Sequence, residues 1–194
     1  MEMDRLEKWA VNTFSRVYLY GYLLPRLLAL VGDRLEGHGL ALGTGVGWET
    51  FALAERFPAV TVTGVDYDPD QVDRARQNLA DRPALSRRVS FHRGDATAIA
   101  FAPATFDFAY ALNVLHHIAG YPAAMREVHR MLKPGGRFFI QDLTRSFFLP
   151  GVRHLFPPES LFTRAELVGW LEAAGFDVEA ETGRAVIFLR ARRR

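Results

Sequence analysis

The sequence predicts an α/β fold in which helices cover both faces of a mostly parallel, seven-stranded sheet with an antiparallel last strand. From residue 39 onward, apolar β-branched segments alternate with helical ones, as in sheets whose parallel neighbours are joined by helical crossovers. Only Gly183 and Arg184 separate the last two predicted strands, which must therefore form an antiparallel hairpin. The length of 194 residues and the hydrophobic fraction of 49% suit one domain with a real core.

The first 36 residues are predicted to be helical. Apolar residues from Leu6 to Val17 keep a three- or four-residue spacing and so share one helix face. Gly21 interrupts this pattern, and Pro25 suits the first turn of a second helix. We predict a helical cap over residues 1–36 and a single compact domain over residues 37–194.

The remaining elements follow in order along the chain. The predicted strands are Gly39–Leu42, Val60–Val65, Val89–Arg93, Phe106–Leu112, Arg137–Leu143, Phe176–Thr182 and Ala185–Leu189. The predicted helices are Glu49–Phe57, Asp70–Asp81, Tyr121–Leu132 and Leu161–Ala174, of which the third is closed by the turn signal Lys133–Gly136. Thr163 and Glu166 have the spacing of a capping box at the start of the last helix.

Composition excludes several classes of protein. The absence of cysteine rules out a disulfide scaffold and thiolate chemistry, and it fits a reducing compartment. The net charge is only +2, and the dense arginine run at residues 190–194 is interpreted as solvated surface, so no nucleic-acid partner is predicted. No N-terminal stretch has the ~20 apolar residues of a membrane span, and we expect a cytoplasmic protein.

A glycine-rich turn, Gly43–Gly47, follows the first strand and precedes a helix. Open α/β sheets bind ligands at this place, outside the carboxyl ends of the strands. Glycines let a ligand approach the backbone, and a helix N-terminus favours a carboxylate or phosphate. A tight turn without a ligand has the same pattern, so the turn alone does not show that a ligand binds here.

Acidic residues at the next two strand ends strengthen the prediction of an adenosine-containing ligand. Asp66 ends the second strand, where an acid accepts hydrogen bonds from ribose hydroxyls. Asp95 follows the third strand and could accept the adenine amine. A turn or helix-cap role remains the alternative for each. A dinucleotide is disfavoured because Trp48 stands where its fingerprint requires glycine.

With these motifs, the sequence resembles class I S-adenosylmethionine-dependent methyltransferases, more narrowly the small-molecule enzymes related to ubiquinone and menaquinone C-methyltransferases. The resemblance covers roughly residues 39–189 and adds the segments Phe106–His117 and Glu127–Arg137 to the strand-end motifs. It implies a Rossmann-like sandwich and transfer of a methyl group from S-adenosylmethionine. No Asn-Pro-Pro-Tyr type motif follows the fourth strand, which by this resemblance favours a small-molecule acceptor.

The resemblance also implies roles for individual residues. Gly43, Thr44, Gly45 and Gly47 would hold the methionine part of the cofactor, Asp66 the ribose, Tyr67 the adenine face, Asp95 and the Ala96 amide the adenine edge, and Asn113 the methionine end. The family usually has an acid two residues before the first glycine, where this chain has Ala41. Ala41 supports the alternative function, a methyltransferase-like binding or partner subunit without catalysis.

The acceptor side is predicted from loops. His116 and His117 are the candidate general bases, against the alternative that one caps a turn and the other packs. No histidine has metal-ligand spacing, so no metal is predicted. We predict a lid over residues 1 to about 24, with Tyr18 or Tyr20 facing the methionine end. Aromatic residues in 146–162 favour an apolar or aromatic acceptor, and the oligomeric state, including a homodimer, is left open.

Overall fold

The computed structural model describes residues 19–118, 120–155 and 161–194, which form a three-layer α/β sandwich and confirm the predicted fold class. The predicted first helix and Tyr18 lie outside the described residues, as does the side chain of Tyr20. The lid therefore stays a prediction. The described part begins with a π-helical turn, Leu19–Leu23, that runs into helix α1, Leu24–Val31, with Pro25 in its first turn as predicted.

The strands and helices follow the predicted order with small changes at their ends. The strands are β1 (Gly37–Leu42), β2 (Val60–Asp66), β3 (Val89–Arg93), β4 (Phe106–Leu112), β5 (Leu132–Leu143), β6 (Phe176–Thr182) and β7 (Val186–Arg193). The other helices are α2 (Trp48–Arg56), α3 (Pro69–Ala80), α4 (Tyr121–Met131) and α5 (Arg164–Ala173). Thr163 and Glu166 form the predicted capping box at the start of α5. No helix in the described ranges has the length and apolarity to cross a bilayer.

The strand order places the carboxyl ends of β1 and β4 side by side. The sheet order is β3-β2-β1-β4-β5-β7-β6, and β7 runs antiparallel to both of its neighbours, as the short last connection requires. The chain leaves β1 toward β2 on one side, and β4 lies on the other side. Ligands bind at such a reversal in open α/β sheets, in the crevice beyond the strand ends.

Two apolar layers hold the helices to the sheet. On one face, α4 and α5 pack on the central strands through a cluster that includes Met125, Val128, Phe138, Leu167 and Phe176. On the other face, α1 and α2 pack through Leu27, Leu30, Leu53, Phe108 and Phe139, and α3 joins α2 and β3 through Phe51, Val72 and Phe91. The central strands β1 and β4 are buried on both faces along most of their length, so a site on them can open only beyond their carboxyl ends.

The start of β5 differs from the prediction. Strand pairing with β4 already begins at Leu132, whereas the prediction treated residues 133–136 as a turn before the strand. The pairing shifts register between Phe106–Leu132 and Phe108–Arg137, and Gly135 takes a positive φ of 78°. The helix therefore ends at Met131, before the glycines, and Gly135 lies in a bulge that continues directly into the strand.

The prediction for the C-terminal arginines was wrong in part. Strand β7 extends to Arg193, and Arg190 and Arg192 form ion pairs with Glu179 of β6 at 3.0 and 3.3 Å. Arg190 also donates to the Leu30 carbonyl of α1 at 3.1 Å, although Arg192 is exposed as expected. These arginines therefore form ion pairs with acids of the neighbouring strand. Counting charges within the segment could not reveal such pairs.

Candidate active site

A cavity of about 1000 Å³ lies at the carboxyl ends of β1, β2 and β4. It brings together most of the residues predicted to bind cofactor, namely Gly43, Thr44, Gly45, Asp66, Tyr67, Asp95, Ala96 and Asn113. Both candidate bases, His116 and His117, also line it. Gly47 does not line the cavity, and the side chain of Tyr20 is outside what the structure describes.

The three glycines of the turn have different tasks. All have positive φ, which favours glycine. A Cβ at Gly43 would collide with Val114, and one at Gly47 would approach Phe91 to 2.7 Å, so these two allow close packing. A Cβ at Gly45 would meet no atom within 4 Å. The backbone of Gly45 is therefore open toward the cavity and is the part of the turn that a ligand can approach.

Thr44 holds the turn through hydrogen bonds to the interior of the protein. Its side chain is buried, and its hydroxyl lies 3.1 Å from that of Thr50 in α2, which in turn lies 2.8 Å from the hydroxyl of Tyr110 in β4. The Thr44 amide donates to the Val65 carbonyl. Its carbonyl accepts from the Gly47 amide, so both the hydroxyl and the backbone of Thr44 are engaged in holding the turn.

Asp66 joins the turn to the end of β2. One carboxylate oxygen accepts from the Gly45 amide at 2.8 Å, and the other accepts from the Asp68 amide at 3.0 Å. Burial raises the pKa of Asp66, and these backbone donors work against that rise. Each carboxylate oxygen can accept a further bond. Asp66 therefore both holds the turn and faces the cavity, whereas the helix cap of α3 is Asp68.

The predicted adenine side is more open. The Tyr67 ring is 45% exposed, and Asp95 lies across the cavity beside Ala96. One oxygen of Asp95 accepts from the Thr97 amide and hydroxyl at 2.8 and 2.7 Å, which keeps the Asp95 pKa below its ordinary value. An ionised carboxylate is held at this rim, ready to accept from an amino group.

Asn113 lies at the centre of the far wall, directly after β4. It has a left-handed φ of 53°, its amide donates to the Gln141 carbonyl at 2.8 Å, and its side-chain oxygen accepts from Gln141 at 3.1 Å. Asparagine tolerates this backbone region better than most residues. The residue thus turns the chain sharply into the segment that carries the histidines.

His116 is held by a buried acid that the sequence did not single out. Its Nδ1 lies 2.5 Å from Asp142 at the end of β5, and both side chains are buried. The other oxygen of Asp142 accepts from the amides of Val114 and Leu115 at 3.0 and 2.6 Å. Asp142 therefore fixes both the loop and the imidazole. An acid at the carboxyl end of a buried strand was the available signal.

His117 is the weaker of the two candidate bases. Its ring centroid lies 4.1 Å from that of His116, and burial lowers its pKa to about 4, with the neighbouring His116 adding to the effect. A group that binds a proton so weakly is a poor base at neutral pH. The described ranges contain no group of three side chains suited to a metal ion.

Glu49 is a second cavity residue that the sequence prediction passed over. The prediction explained it as an acid favoured at a helix start, and it is indeed in the first turn of α2. The structure also places it in the cavity wall beside Trp48 and Asp66. Burial raises the pKa of Glu49 to about 7, and the charge of Asp66 adds to the rise. The location, rather than the residue type, distinguishes it from an ordinary helix-start acid.

Comparison with known proteins identifies the family. Residues 40–140 match the family described as a methyltransferase domain. The chain is 33% identical over 163 residues to an O-methyltransferase of Penicillium expansum, covering 79% of this chain and 58% of that protein. It is also 33% identical over 127 residues to a sterol 4-C-methyltransferase of Caenorhabditis elegans, covering 63% of this chain and 37% of that protein.

The chain thus spans only part of the length of these curated relatives. Its fold is similar along nearly the whole chain to the crystal structure of a SAM-dependent methyltransferase from Aquifex aeolicus. That comparison has a TM-score of 0.78 at 20% identity and covers 98% of this chain and 99% of the other. With the family match extending over more than half of its residues, the chain belongs to the class I methyltransferase-domain family.

Proposed function

We propose that this chain transfers a methyl group from S-adenosylmethionine to a small, largely apolar or aromatic acceptor. The observation that carries the proposal is the shared cavity, where the glycine turn and the carboxylates of Asp66 and Asp95 meet the His116–Asp142 pair. Relatives named as O-methyltransferase and sterol 4-C-methyltransferase support the reaction and the small-molecule class. The narrower link to ubiquinone and menaquinone C-methyltransferases rests on the sequence resemblance.

The residues of the cavity fit the cofactor. At Gly45 there is open space where a Cβ would otherwise project, so a ligand can lie against the backbone. Asp66 and Asp95 are acceptors suited to ribose hydroxyls and an adenine amine. Val65, Ile99 and Leu112 supply apolar wall between them. This donor and acceptor set matches a nucleoside with an attached amino acid.

When bound, S-adenosylmethionine supplies a methyl group that its sulfonium already activates for displacement. The protein's task is then mainly to align the acceptor and exclude water. Asn113, Gly43 and Gly45 would hold the methionine end, and Tyr67 would cover the adenine. The described part of the cap supplies Tyr22 and Leu23 to the cavity wall, which supports our proposal that residues 1–36 cover a domain formed by residues 37–194.

The acceptor is placed on the His116 side of the cavity. Ile118, Leu143, Phe147 and Val186 line this region and favour an apolar or aromatic molecule. With Nδ1–H donated to Asp142, the basic lone pair of a neutral His116 is on Nε2. His116 is therefore the base that we propose for an acceptor that must lose a proton, and Asp142 sets its tautomer and orientation.

The alternative, a binding or partner subunit without catalysis, depended on Ala41. Apart from Gly47 and Tyr20, the residues predicted to bind cofactor line one cavity together with an oriented histidine, which a purely structural subunit would not need. We therefore favour the enzyme.

Isothermal titration calorimetry with S-adenosylmethionine and its demethylated product tests the proposal, with a nicotinamide dinucleotide as the negative control. We expect both sulfur compounds to bind and the dinucleotide not to bind. The absence of heat and of any thermal shift with millimolar S-adenosylmethionine would overturn the proposal.

A further inference from the structure

The position of the family's usual acid carries no charge in this chain. Ala41 on β1 is fully buried and pairs with Tyr110 of β4 on one side and Gly64 of β2 on the other. Ala41 and the Tyr110 ring belong to one apolar cluster, and the Tyr110 hydroxyl is engaged by Thr50. The β1 position therefore offers only a methyl group, and the amino end of the cofactor needs another partner.

Glu49 has the chemistry and the position for that partner. It is half-buried in the wall of the same cavity, at the second residue of α2. Its carboxylate accepts from its own backbone amide, and in the described ranges no Lys, Arg or His forms an ion pair with it. A partly buried carboxylate without a cation is unfavourable unless a ligand supplies one.

Building on the proposed function, we infer that Glu49 binds the α-ammonium group of S-adenosylmethionine, in place of the acid that Ala41 replaces. The turn residue Gly45 and Asn113 line the same cavity as Glu49, so the predicted methionine end and this carboxylate share one cavity.

The surroundings of Glu49 make its charge dependent on the ligand. The groups that act on it are Asp66 at the end of β2, whose negative charge opposes ionisation, and Tyr110 of β4, whose own pKa Glu49 raises. The other titratable residues that line the cavity are Tyr22, Tyr67, Asp68, Asp95, His116 and His117. A bound ammonium would favour the ionised carboxylate and lower its pKa. Binding of the cofactor should therefore shift Glu49 from the protonated to the ionised form.

A ligand series on the full chain separates this contact from the rest of the site. The probes are S-adenosylhomocysteine, its analogue without the α-amino group, and 5′-methylthioadenosine, which lacks the amino acid. For Glu49→Gln we expect roughly 10- to 100-fold weaker binding of S-adenosylhomocysteine, because a charge-assisted hydrogen bond is lost. Binding of the other two probes should change by less than about 3-fold.

Glu55→Gln is the matched control, because Glu55 lies on the same helix but is exposed and 3.9 Å from Arg82. It should leave the binding of all three probes unchanged. Thermal unfolding without ligand shows whether each variant is folded.

The pH dependence gives a second readout that does not need turnover. If only the ionised form of Glu49 with its pKa of about 7 binds the ammonium, affinity for S-adenosylhomocysteine should be roughly tenfold weaker at about pH 6 than at about pH 8. Glu49→Gln should flatten this profile, whereas Glu55→Gln should keep it. If another group of the cavity titrates instead, the slope should remain in the Glu49 variant.

The outcomes separate this inference from the proposed function. If the wild-type chain binds neither S-adenosylhomocysteine nor 5′-methylthioadenosine, the proposed function fails. If both bind, but Glu49→Gln binds S-adenosylhomocysteine as well as the wild type does, or more tightly, only the role of Glu49 is overturned. Equal weakening for all three probes would also overturn it, because the effect would not depend on the ammonium.

Discussion

The two sides of the cavity are built in different ways. On the cofactor side, strand ends of β1 and β2 meet through the backbone, as when Gly45 donates its amide to Asp66. On the acceptor side, β4 and β5 meet through side chains, as when Asp142 holds His116. Both sides use a carboxylate at a strand end that accepts from backbone amides of the neighbouring loop.

The two carboxylates differ in what remains available to a ligand. Asp66 lines the cavity, so it can serve the fold and a ribose together. Asp142 is fully buried, accepts from His116, Val114, Leu115 and its neighbour Leu143, and does not line the cavity. The proposed acceptor side is thus held in place by a carboxylate that does not line the cavity. Removing this carboxylate should therefore lower the stability of the fold more than removing the one on the cofactor side.

Replacing Asp142 by alanine should give the largest effect on stability. The change leaves the buried amide donors and the His116 ring without their acceptor, and breaking such a buried network costs about 3–5 kcal/mol. Urea unfolding of the variant measures this. Asp177→Ala is the control, since Asp177 is an exposed acid paired with Arg192 and Arg194 and should cost less than about 1 kcal/mol. Equal small losses in both variants would contradict the proposed difference between the two sides.

Ala41→Asp should destabilise the chain without improving the cofactor side. The new carboxylate would lie in the fully buried space beside Tyr110, and a poorly paired buried acid costs about 2–4 kcal/mol. For a chain of this size, the melting temperature should fall by roughly 5–15 °C. Calorimetry should show no gain in affinity for S-adenosylhomocysteine. Ala41→Asn separates charge from size. Tighter binding by Ala41→Asp with unchanged stability would instead mean that the lack of an acid at position 41 weakens cofactor binding in this chain.

The part of this molecule that could be predicted follows local backbone rules. Helix–strand alternation and the short gap before the last strand, predicted as two residues and three in the structure, determine seven strands and the antiparallel β7. Glycines with positive φ between β1 and α2 determine the location of the turn. Asp66 was singled out because it ends the strand that follows the glycine turn, and it does line the cavity. These features can be recognised from residues that are close together in the sequence.

The part that escaped prediction depends on tertiary partners. Asp142 resembles any polar residue ending a strand until His116 is brought within 2.5 Å of it. Glu49 was assigned to the helix dipole, which explains its location but not its burial in the cavity wall. Thr44 was predicted as a ligand contact, whereas its hydroxyl is used by Thr50 inside the protein. In each case the deciding partner is on another element.

Asp66→Ala tests the double role on the cofactor side. The loss of acceptors for ribose hydroxyls should weaken S-adenosylhomocysteine binding roughly 10- to 100-fold. The amides of Gly45 and Asp68 also lose their acceptor, so stability should fall by about 1–3 kcal/mol. Asp66→Asn keeps one acceptor oxygen and should lie between alanine and wild type in both measurements. A stability loss with unchanged binding would reduce Asp66 to a turn residue.

The smallest expected effect concerns Glu49 and the pH dependence of folding without ligand. Burial raises the pKa of Glu49 to about 7 in the folded chain, above its ordinary value of 4.5. The protonated form is therefore favoured by folding, and its contribution to stability is complete below about pH 4.5 and lost as the pH rises to about 7. Glu49→Gln removes this titration. Because Glu49 as a residue is only partly buried, the stability gain of the variant over wild type should grow by on the order of 1 kcal/mol from about pH 5 to about pH 8. Urea unfolding at both pH values measures the gain, and Glu55→Gln on the same helix should show none. If Glu49→Gln and Glu55→Gln show the same pH dependence of stability, the pKa of Glu49 is not raised. The cofactor side then has no carboxylate that favours binding of a cation.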